Sequence, residues 1–326
     1  MKCNIKLRED ISQSLCCPVC KSELKLDKEH FSCVSPQCHT IFPVVDGIPV
    51  LINEENSLFS ISDFMHQDDT YFATCSKIER LAKKVLPTLS RNLKARANFS
   101  RFAELLFKEN TNPKVLILGG SIVGKGLKDI LSLESIEFVE SDVSFGPRTV
   151  LICDAHDIPF KDKTFDGVIT QVILEHVVDP YRCVEEIHRI LRPNGIVYAE
   201  TAFMQQVHGG KYDFTRFTHL GHRRLFRRFD EICSGAVSGP GASLAWAYNA
   251  FLLSFVRSRL TRAAVKVFVR LTCWGLKYID YYLIDRPGAL DSACEYYFMG
   301  RKSDKIIQDI EIIKGYKGGY YGQQKR

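Results

Sequence analysis

At 326 residues, 45% hydrophobic and 25% charged, the chain is too long for one small core and suits a main domain of about 200 residues with an appendage or two. A formal charge of +6 permits an anionic partner without demanding one. Twelve cysteines invite a disulfide scaffold, yet four stand at metal-ligand spacing and most others sit singly in apolar or helical patterns, as in a reducing compartment. Met1 to Asp10 is charged throughout and lacks the apolar stretch of a secretory signal, which places the protein in the cytoplasm.

The first module spans residues 1–52. Cys17-Pro-Val-Cys20 is followed by Cys33 and Cys38, two thiol pairs on either side of a short hairpin. Four thiolates suit tetrahedral Zn²⁺, which can stand in for a core too small to hold itself together, and they leave no open position for catalysis. Cys16 and His39 are adjacent alternative ligands. Asp46-Gly47 reads as a hairpin turn, and Pro49 marks an edge strand. Leu15-Cys-Cys-Pro-Val-Cys20, Phe31-Ser-Cys33 and Phe42-Pro-Val-Val-Asp-Gly-Ile-Pro-Val-Leu51 resemble the zinc-ribbon module that accompanies many methyltransferases, fused or as a partner protein.

Residues 53–112 read as a helical linker that covers the ligand of the next domain. Ile78, Leu81, Ala82, Val85 and Leu86 form one apolar stripe, and Phe99, Phe102, Leu105 and Leu106 another. Lys77, Arg80, Lys83, Lys84, Arg91, Lys94, Arg96 and Arg101 lie between them, as a solvated helix face or as a nucleic-acid surface.

Residues 113–238 alternate in type. Strands are predicted at Val115–Leu118, Ile136–Val139, Val150–Cys153, Asp166–Thr170 and Ile196–Ala199. A helix is predicted from Tyr181 to Leu191, capped by Asp179 and stopped by Pro193-Asn-Gly195. Such alternation predicts an α/β fold, a doubly wound Rossmann-like sheet, parallel with an antiparallel edge strand, its ligand at the carboxyl ends of the strands. The first strand runs into Gly119-Gly-Ser-Ile-Val-Gly124-Lys-Gly126, a glycine loop opening a helix at about Lys125, suited to close backbone approach by an anionic, nucleotide-like ligand. Asp142, after strand two, is placed to accept from two ribose hydroxyls, and Glu140 competes for that role. Asp154 follows strand three where an adenine amino group would lie. Gln171 follows strand four and is a further cofactor-contacting candidate, and His176 reads as a hydrogen-bonded helix residue or a site residue. The loop also approaches a phosphate-binding P-loop, but Gly126 stands where Ser or Thr would hold Mg²⁺.

Asp154-Ala-His-Asp-Ile-Pro-Phe160, Thr164-Phe-Asp-Gly-Val168, Leu174-Glu-His176 and Glu185-Glu-Ile-His-Arg-Ile-Leu-Arg-Pro-Asn-Gly195 together resemble the class I S-adenosylmethionine-dependent methyltransferases over about residues 113–229. The resemblance implies that Gly119, Gly120 and Gly124 contact the methionine part of the cofactor, Asp142 the ribose, and Asp154 with Ala155 the adenine. The chain departs from that pattern at Ile117, where the family carries an acid.

After strand five, a glycine-hinged loop carries His208, Tyr212, Asp213 and Arg216. His208 and Asp213 are the candidate bases for deprotonating a methyl acceptor. His219 to Phe229 reads as a helix with Leu225, Phe226 and Phe229 inward and Arg223, Arg224, Arg227 and Arg228 outward. Residues 239–290 form a helical insertion whose Arg259, Arg262, Lys266 and Arg270 share one stripe. Through residues 242–284 it either lies on an anionic membrane surface or covers the core and exposes its cations. Residues 291–304 supply a last strand, antiparallel to Glu231–Val237, and 305–326 form a tail, unstructured from Gly315. These features predict an S-adenosylmethionine-dependent methyltransferase with structural zinc, acting on a small molecule or a glycan or lipid-linked sugar. An RNA methyltransferase and a binding protein with a decayed cofactor site are the alternatives, nucleic acid being the weaker partner.

Overall fold

The computed structural model describes residues 5–66, 86–121, 124 and 126–319. Four short strands, β1 (Leu24–Asp27), β2 (His30–Cys33), β3 (Ile41–Val45) and β4 (Ile48–Leu51), make the N-terminal ribbon. Seven more follow: β5 (Lys114–Leu118), β6 (Glu137–Asp142), β7 (Leu151–Cys153), β8 (Phe165–Gln171), β9 (Leu191–Ala202), β10 (Phe229–Ser238) and β11 (Glu295–Lys302). Their order is β1-β2-β3-β4-β7-β6-β5-β8-β9-β11-β10. Strands β5 to β9 pair in parallel, and β11 runs antiparallel to β9 and β10, so the doubly wound sheet with an antiparallel edge pair stands as predicted. The order reverses at β5, between β6 and β8, and that crevice is where such a sheet takes its ligand.

Asp46 and Gly47 turn β3 into β4 with φ of 51° and 78°, the left-handed pair that a two-residue hairpin needs. The expectation of an edge strand at Pro49 fails. Beyond the hairpin β4 adds itself to the central sheet, Val50 opposite Ile152 and Leu51 opposite Cys153, in parallel with β7. Pro49 precedes that pairing by one residue, so its missing N–H costs the parallel ladder nothing. Leu7, Ile11, Leu15, Phe31 and Phe42 join Phe160, Phe165 and Leu174 in one buried cluster, which makes the ribbon and the sheet share a core.

Helix Ala95–Glu109 buries Phe99, Phe102, Leu105 and Leu106 as its periodicity predicts. The other predicted stripe and Lys77, Arg80, Lys83 and Lys84 lie outside the described residues, apart from Leu86. Helix Pro180–Ile190 begins where the Asp179 carboxylate accepts from the Arg182 N–H and buries Val184, Ile187 and Ile190. Pro193-Asn-Gly195 does not end it. The chain passes directly into β9, whose register jumps from Leu191 opposite Phe165 to Ile196 opposite Gly167, and the Pro-Asn-Gly segment absorbs the extra residues with Asn194 at φ 65°.

Helix His219–Leu225 carries a second correction. Arg223 is 7% exposed and donates to the carbonyls of Phe226 and Phe229, with Glu231 as its ion-pair partner, so it faces inward and stitches the helix to β10. The insertion consists of helices Pro240–Ser254, Arg259–Cys273 and Leu276–Leu283. Gly315 to Gly319, expected to be unstructured, is tied down where Tyr316 and the Gly319 N–H both bond the Asp291 carboxylate.

Candidate functional site

The four predicted ligand cysteines converge. Cys17 Sγ lies 3.7 Å from Cys38 Sγ and Cys20 Sγ 3.4 Å from Cys33 Sγ, while Cys16 and His39 stand outside the group. Tetrahedral zinc with Zn–S bonds of about 2.3 Å separates its sulfurs by roughly 3.8 Å, so this donor set fits the ion. Burial raises the Cys20 thiol, but hydrogen bonds from Ser22 and from Cys33 and Cys38 outweigh it and hold it down to about 6.

The crevice beside β5 opens into a cavity of about 500 Å³ walled by the carboxyl ends of β5 to β9 and roofed by Leu58, Phe59, Ser90 and Asn92 from the linker. Gly119, Gly124, Asp142, Asp154, Ala155, Gln171 and His208 all line it. Gly119 has φ 75°, and a side chain there would strike Ile173; one at Gly124 would strike the Gln171 amide. Gly120 does not line the cavity, for the side where its Cβ would stand is filled by Glu140. The helix expected at about Lys125 starts one turn position later, at Leu127, after Gly126 at φ 82°; Lys125 itself lies outside the described residues.

The two acids of β6 have different surroundings. Glu140 is held by Arg148 at 2.6 Å behind the loop, whereas Asp142 lines the cavity and accepts from the Ser121 N–H at 2.9 Å. Burial pushes the Asp142 carboxyl above its usual range. Asp154 is already engaged: it accepts from Ser57 Oγ at 2.6 Å and from His156 Nδ1 at 2.5 Å. His156 Nε2 accepts from the Asp179 N–H, which fixes the proton on Nδ1. Burial opposes ionisation of Asp154, but the His156 contacts prevail and keep its pKa low.

His176 is in a turn after β8, not a helix. Its Nδ1 bonds the Tyr212 carbonyl at 2.9 Å, so Nδ1 carries the proton and Nε2 the lone pair. Burial, then the neighbouring His208, holds it down to about 4. The His176 and His208 rings meet edge to face at 4.8 Å, and burial lowers His208 as well. Glu175, fully buried beside them, is pushed up to about 8 by burial and accepts from the Ala202 N–H. Asp213 does not line this cavity. Its carboxylate accepts from the N–H groups of His208 and Gly209 and from Arg216, and these bonds overcome burial to keep it well below the usual carboxylate range. It holds the loop's shape and is a poor base.

A second cavity, about 660 Å³, lies between this loop and helix Pro240–Ser254, lined by Gln205, Gln206, Asp213, Arg216, Trp246 and Leu253 among others. Gln205 Oε1, Gln206 Oε1 and Trp246 Nε1 are buried there without a partner among the described residues. His208 and Tyr212 face the first cavity and Val207 and Phe214 the second, so one loop divides the two. Sequence reasoning missed Asn92, Trp246 and Glu200 as wall residues. Only Glu200 announces itself, as an acid inside an otherwise apolar strand.

Comparison with known proteins agrees with both halves of the architecture. Residues 131–199 match the family model described as methyltransferase domain, and residues 11–47 the model described as Trm112p-like protein. A UPF0434 protein of Pseudoalteromonas translucida is 39% identical over 49 residues, 15% of this chain and 75% of that protein. The mitochondrial arginine-hydroxylase NDUFAF5 of Homo sapiens is 32% identical over 110 residues, 30% of this chain and 31% of its own length, so the chain spans about a third of that relative. Phosphoethanolamine N-methyltransferase 2 of Haemonchus contortus, solved with S-adenosyl-L-methionine, is 15% identical, with 65% of this chain and 57% of that chain covered at a TM-score of 0.39. Through its N-terminal module, which matches the Trm112p-like model, the chain belongs with the UPF0434 proteins, and its centre carries a methyltransferase domain.

Proposed function

We propose that the protein transfers a methyl group from S-adenosylmethionine to a hydroxyl of a glycan or lipid-linked sugar. One observation supports this above all: a nucleoside-sized cavity at the glycine loop and a second cavity meet at a single loop that carries His208. The cofactor supplies an electrophilic methyl group on a sulfonium centre. The chain's residues do the rest. Asp142 accepts from the ribose hydroxyls, Gly119 and Gly124 let the methionine part approach the backbone, and Ala155 packs against the base. Asp213 and Arg216 fix the dividing loop, so that acceptor and donor meet in a set orientation. His208, lowered by burial, is neutral at pH 7 and can take the acceptor's proton.

The second cavity supports this choice of acceptor. Two orphaned carbonyl acceptors, one orphaned indole donor and an apolar wall of Trp246, Ala250 and Leu253 suit a ring of hydroxyls with an apolar face. The insertion beside it exposes Phe251, Phe255, Leu260, Phe268, Leu271 and Trp274 together with Arg257, Arg259 and Lys266. We read it as a peripheral contact with an anionic membrane on the cytoplasmic side, where a lipid-linked acceptor would be presented. Among the described residues no helix is long and apolar enough to cross a membrane.

Calorimetric titration of the zinc-replete chain with S-adenosylmethionine and S-adenosylhomocysteine tests the reading, with ATP and Mg²⁺ as control. Micromolar binding that weakens by roughly 10- to 100-fold in Asp142→Ala is the expected result, since hydrogen bonds to a charged group contribute about 1.5–3 kcal/mol. A folded protein that binds neither compound is a scaffold, and the proposal fails.

A further inference from the structure

The turn after β8 and the loop that divides the two cavities bring together three groups that suit a divalent metal ion. A carboxylate oxygen of Glu175 and one ring nitrogen each of His176 and His208 all lie within 4.8 Å of one another. One point therefore lies within about 2.8 Å of all three, against roughly 2.1 Å for a zinc–nitrogen or zinc–oxygen bond, and small turns of the two imidazole rings close that gap. The turn and the loop are tied by their backbones, since the Glu175 carbonyl accepts from the N–H groups of Phe214 and Thr215.

Each of the three groups is oriented from behind. His176 Nδ1 donates to the Tyr212 carbonyl at 2.9 Å. His208 Nδ1 donates to the Gln206 carbonyl at 3.2 Å, nearer than the Arg216 guanidinium at 3.5 Å. Nε2 of each ring then carries the lone pair, and a carbonyl behind the ring is the usual support of a metal-binding histidine. Glu175 Oε1 accepts from the Ala202 N–H at 3.0 Å, while Oε2, on a residue with no exposed surface, has no hydrogen-bond partner among the described residues. A buried carboxylate with one unmet oxygen is costly, and a cation repays that cost best. The neighbouring cation, Arg216, is taken up by both oxygens of Asp213. Two imidazoles and one carboxylate match a borderline transition ion and leave further coordination positions, in contrast to the four thiolates of the ribbon. His176 and His208 line the cofactor cavity, so those positions open toward it.

We propose that Glu175, His176 and His208 form a second metal site, for one exchangeable divalent transition-metal ion, beside the place where donor and acceptor meet. The site stands on these side chains alone; its use rests on the methyltransferase reading above. The ion binds the acceptor's hydroxyl oxygen and lowers its pKa, so that the proton passes to water. That oxygen then takes the methyl group, the C–S bond breaks, and its electron pair stays on sulfur. With the ion in place His208 is a ligand, and it serves as the base only in the metal-free protein.

The test uses the full chain with its ribbon zinc. Brief dialysis against dilute EDTA empties a three-ligand site before a four-thiolate one, after which elemental analysis gives about one zinc per chain. Co²⁺ is the probe, because its visible absorption reports its ligands. Calorimetry should show about one Co²⁺ taken up per chain at micromolar affinity, with the absorption of a nitrogen- and oxygen-ligated ion. Glu175→Gln keeps the oxygen that Ala202 bonds, and His208→Ala removes a side chain that is 20% exposed, so the second variant carries the test if the first does not fold. Each should weaken Co²⁺ binding by more than about 100-fold, since loss of even a supporting partner costs roughly 10- to 100-fold. Uptake that survives both substitutions, or that appears as thiolate-to-cobalt charge transfer, overturns the proposal. A chain that binds S-adenosylhomocysteine but no Co²⁺ also overturns it and leaves the methyltransferase reading standing. Co²⁺ binding without S-adenosylhomocysteine binding keeps the site and removes that reading instead.

Discussion

The zinc ribbon and the helical insertion sit toward opposite ends of the chain, and both are appended to the same sheet, yet they dispose of their apolar surface in opposite ways. The ribbon adds β4 to the edge of the sheet and sends Leu7, Ile11, Leu15, Phe31 and Phe42 into the common core. The insertion stacks three helices outside the sheet. Among the described residues its apolar cluster is small, Ala245 and Val269 packed with Leu89 of the linker, and Phe255 and Leu260 are left 71% and 83% exposed. An appendage that extends a sheet inherits its core, whereas one that packs on the outside must find a cover elsewhere or expose what it carries.

The largest effect that can break this comparison comes from the metal. Structural zinc contributes about 10–16 kcal/mol in small zinc modules, and here its four ligands brace strands that lead into β4. Removing the metal with a chelator, or replacing Cys33 with Ser, should lower the melting temperature of the whole chain by more than about 10 °C in one cooperative transition. Elemental analysis should give about one zinc per chain beforehand. If the ribbon melts separately while the sheet stays unmoved, the shared core does not couple them.

Much of this was legible in the sequence wherever a local pattern dictates a local structure. The thiol spacing, the Asp46-Gly47 turn, the glycine loop, the Asp179 cap and the alternation of strands with helices all follow from short-range chemistry. Pairings between distant segments were legible only in part: the antiparallel match of β11 with β10 was read from the sequence, the docking of β4 on β7 was not. Pro49 signals an edge strand correctly within the ribbon, but nothing local says that the ribbon will dock on β7. Arg223 has the spacing of a solvated helix residue, and only the nearby turn into β10 supplies the carbonyls that draw it inward. In the site, His208 and Asp213 look equivalent in sequence. Folding separates them, since Asp213 accepts from two backbone N–H groups and Arg216 and keeps little capacity for a substrate proton.

A smaller effect sharpens the comparison from the insertion's side. Asp280 is 1% exposed and accepts from the N–H groups of Gly239, Gly241 and Ala242, so the last helix of the insertion caps the first. The Gly239-Pro-Gly241 entry permits this, because a Cβ at Gly241 would collide with the Leu276 carbonyl. Asp280→Ala leaves three buried donors unmet, at a cost of several kcal/mol at roughly 1–3 kcal/mol for each. Hydrogen exchange should then accelerate across residues 240–283 while the ribbon's protection holds. Acceleration in both regions at once would mean that the insertion, too, is part of the common core.

The smallest effect concerns what covers the insertion. From Gly239 to Ile279 the chain has no acidic residue, and its exposed aromatic and aliphatic side chains lie among arginines and lysines. A basic residue near an anionic bilayer contributes about 1 kcal/mol, and that contribution fades over a Debye length as salt is added. Replacing Arg257, Arg259 and Lys266 with Gln should therefore reduce partitioning onto phosphatidylserine-containing vesicles by roughly 100-fold at low salt, with a much smaller change at 0.5 M salt. S-adenosylhomocysteine affinity should stay constant, since none of the three lines either cavity. Equal binding to zwitterionic vesicles would show that the apolar face alone drives contact. Salt-sensitive binding to RNA in place of vesicles would move the acceptor from a lipid-borne sugar to nucleic acid, because the same cations serve either polyanion and only the exposed apolar side chains distinguish them.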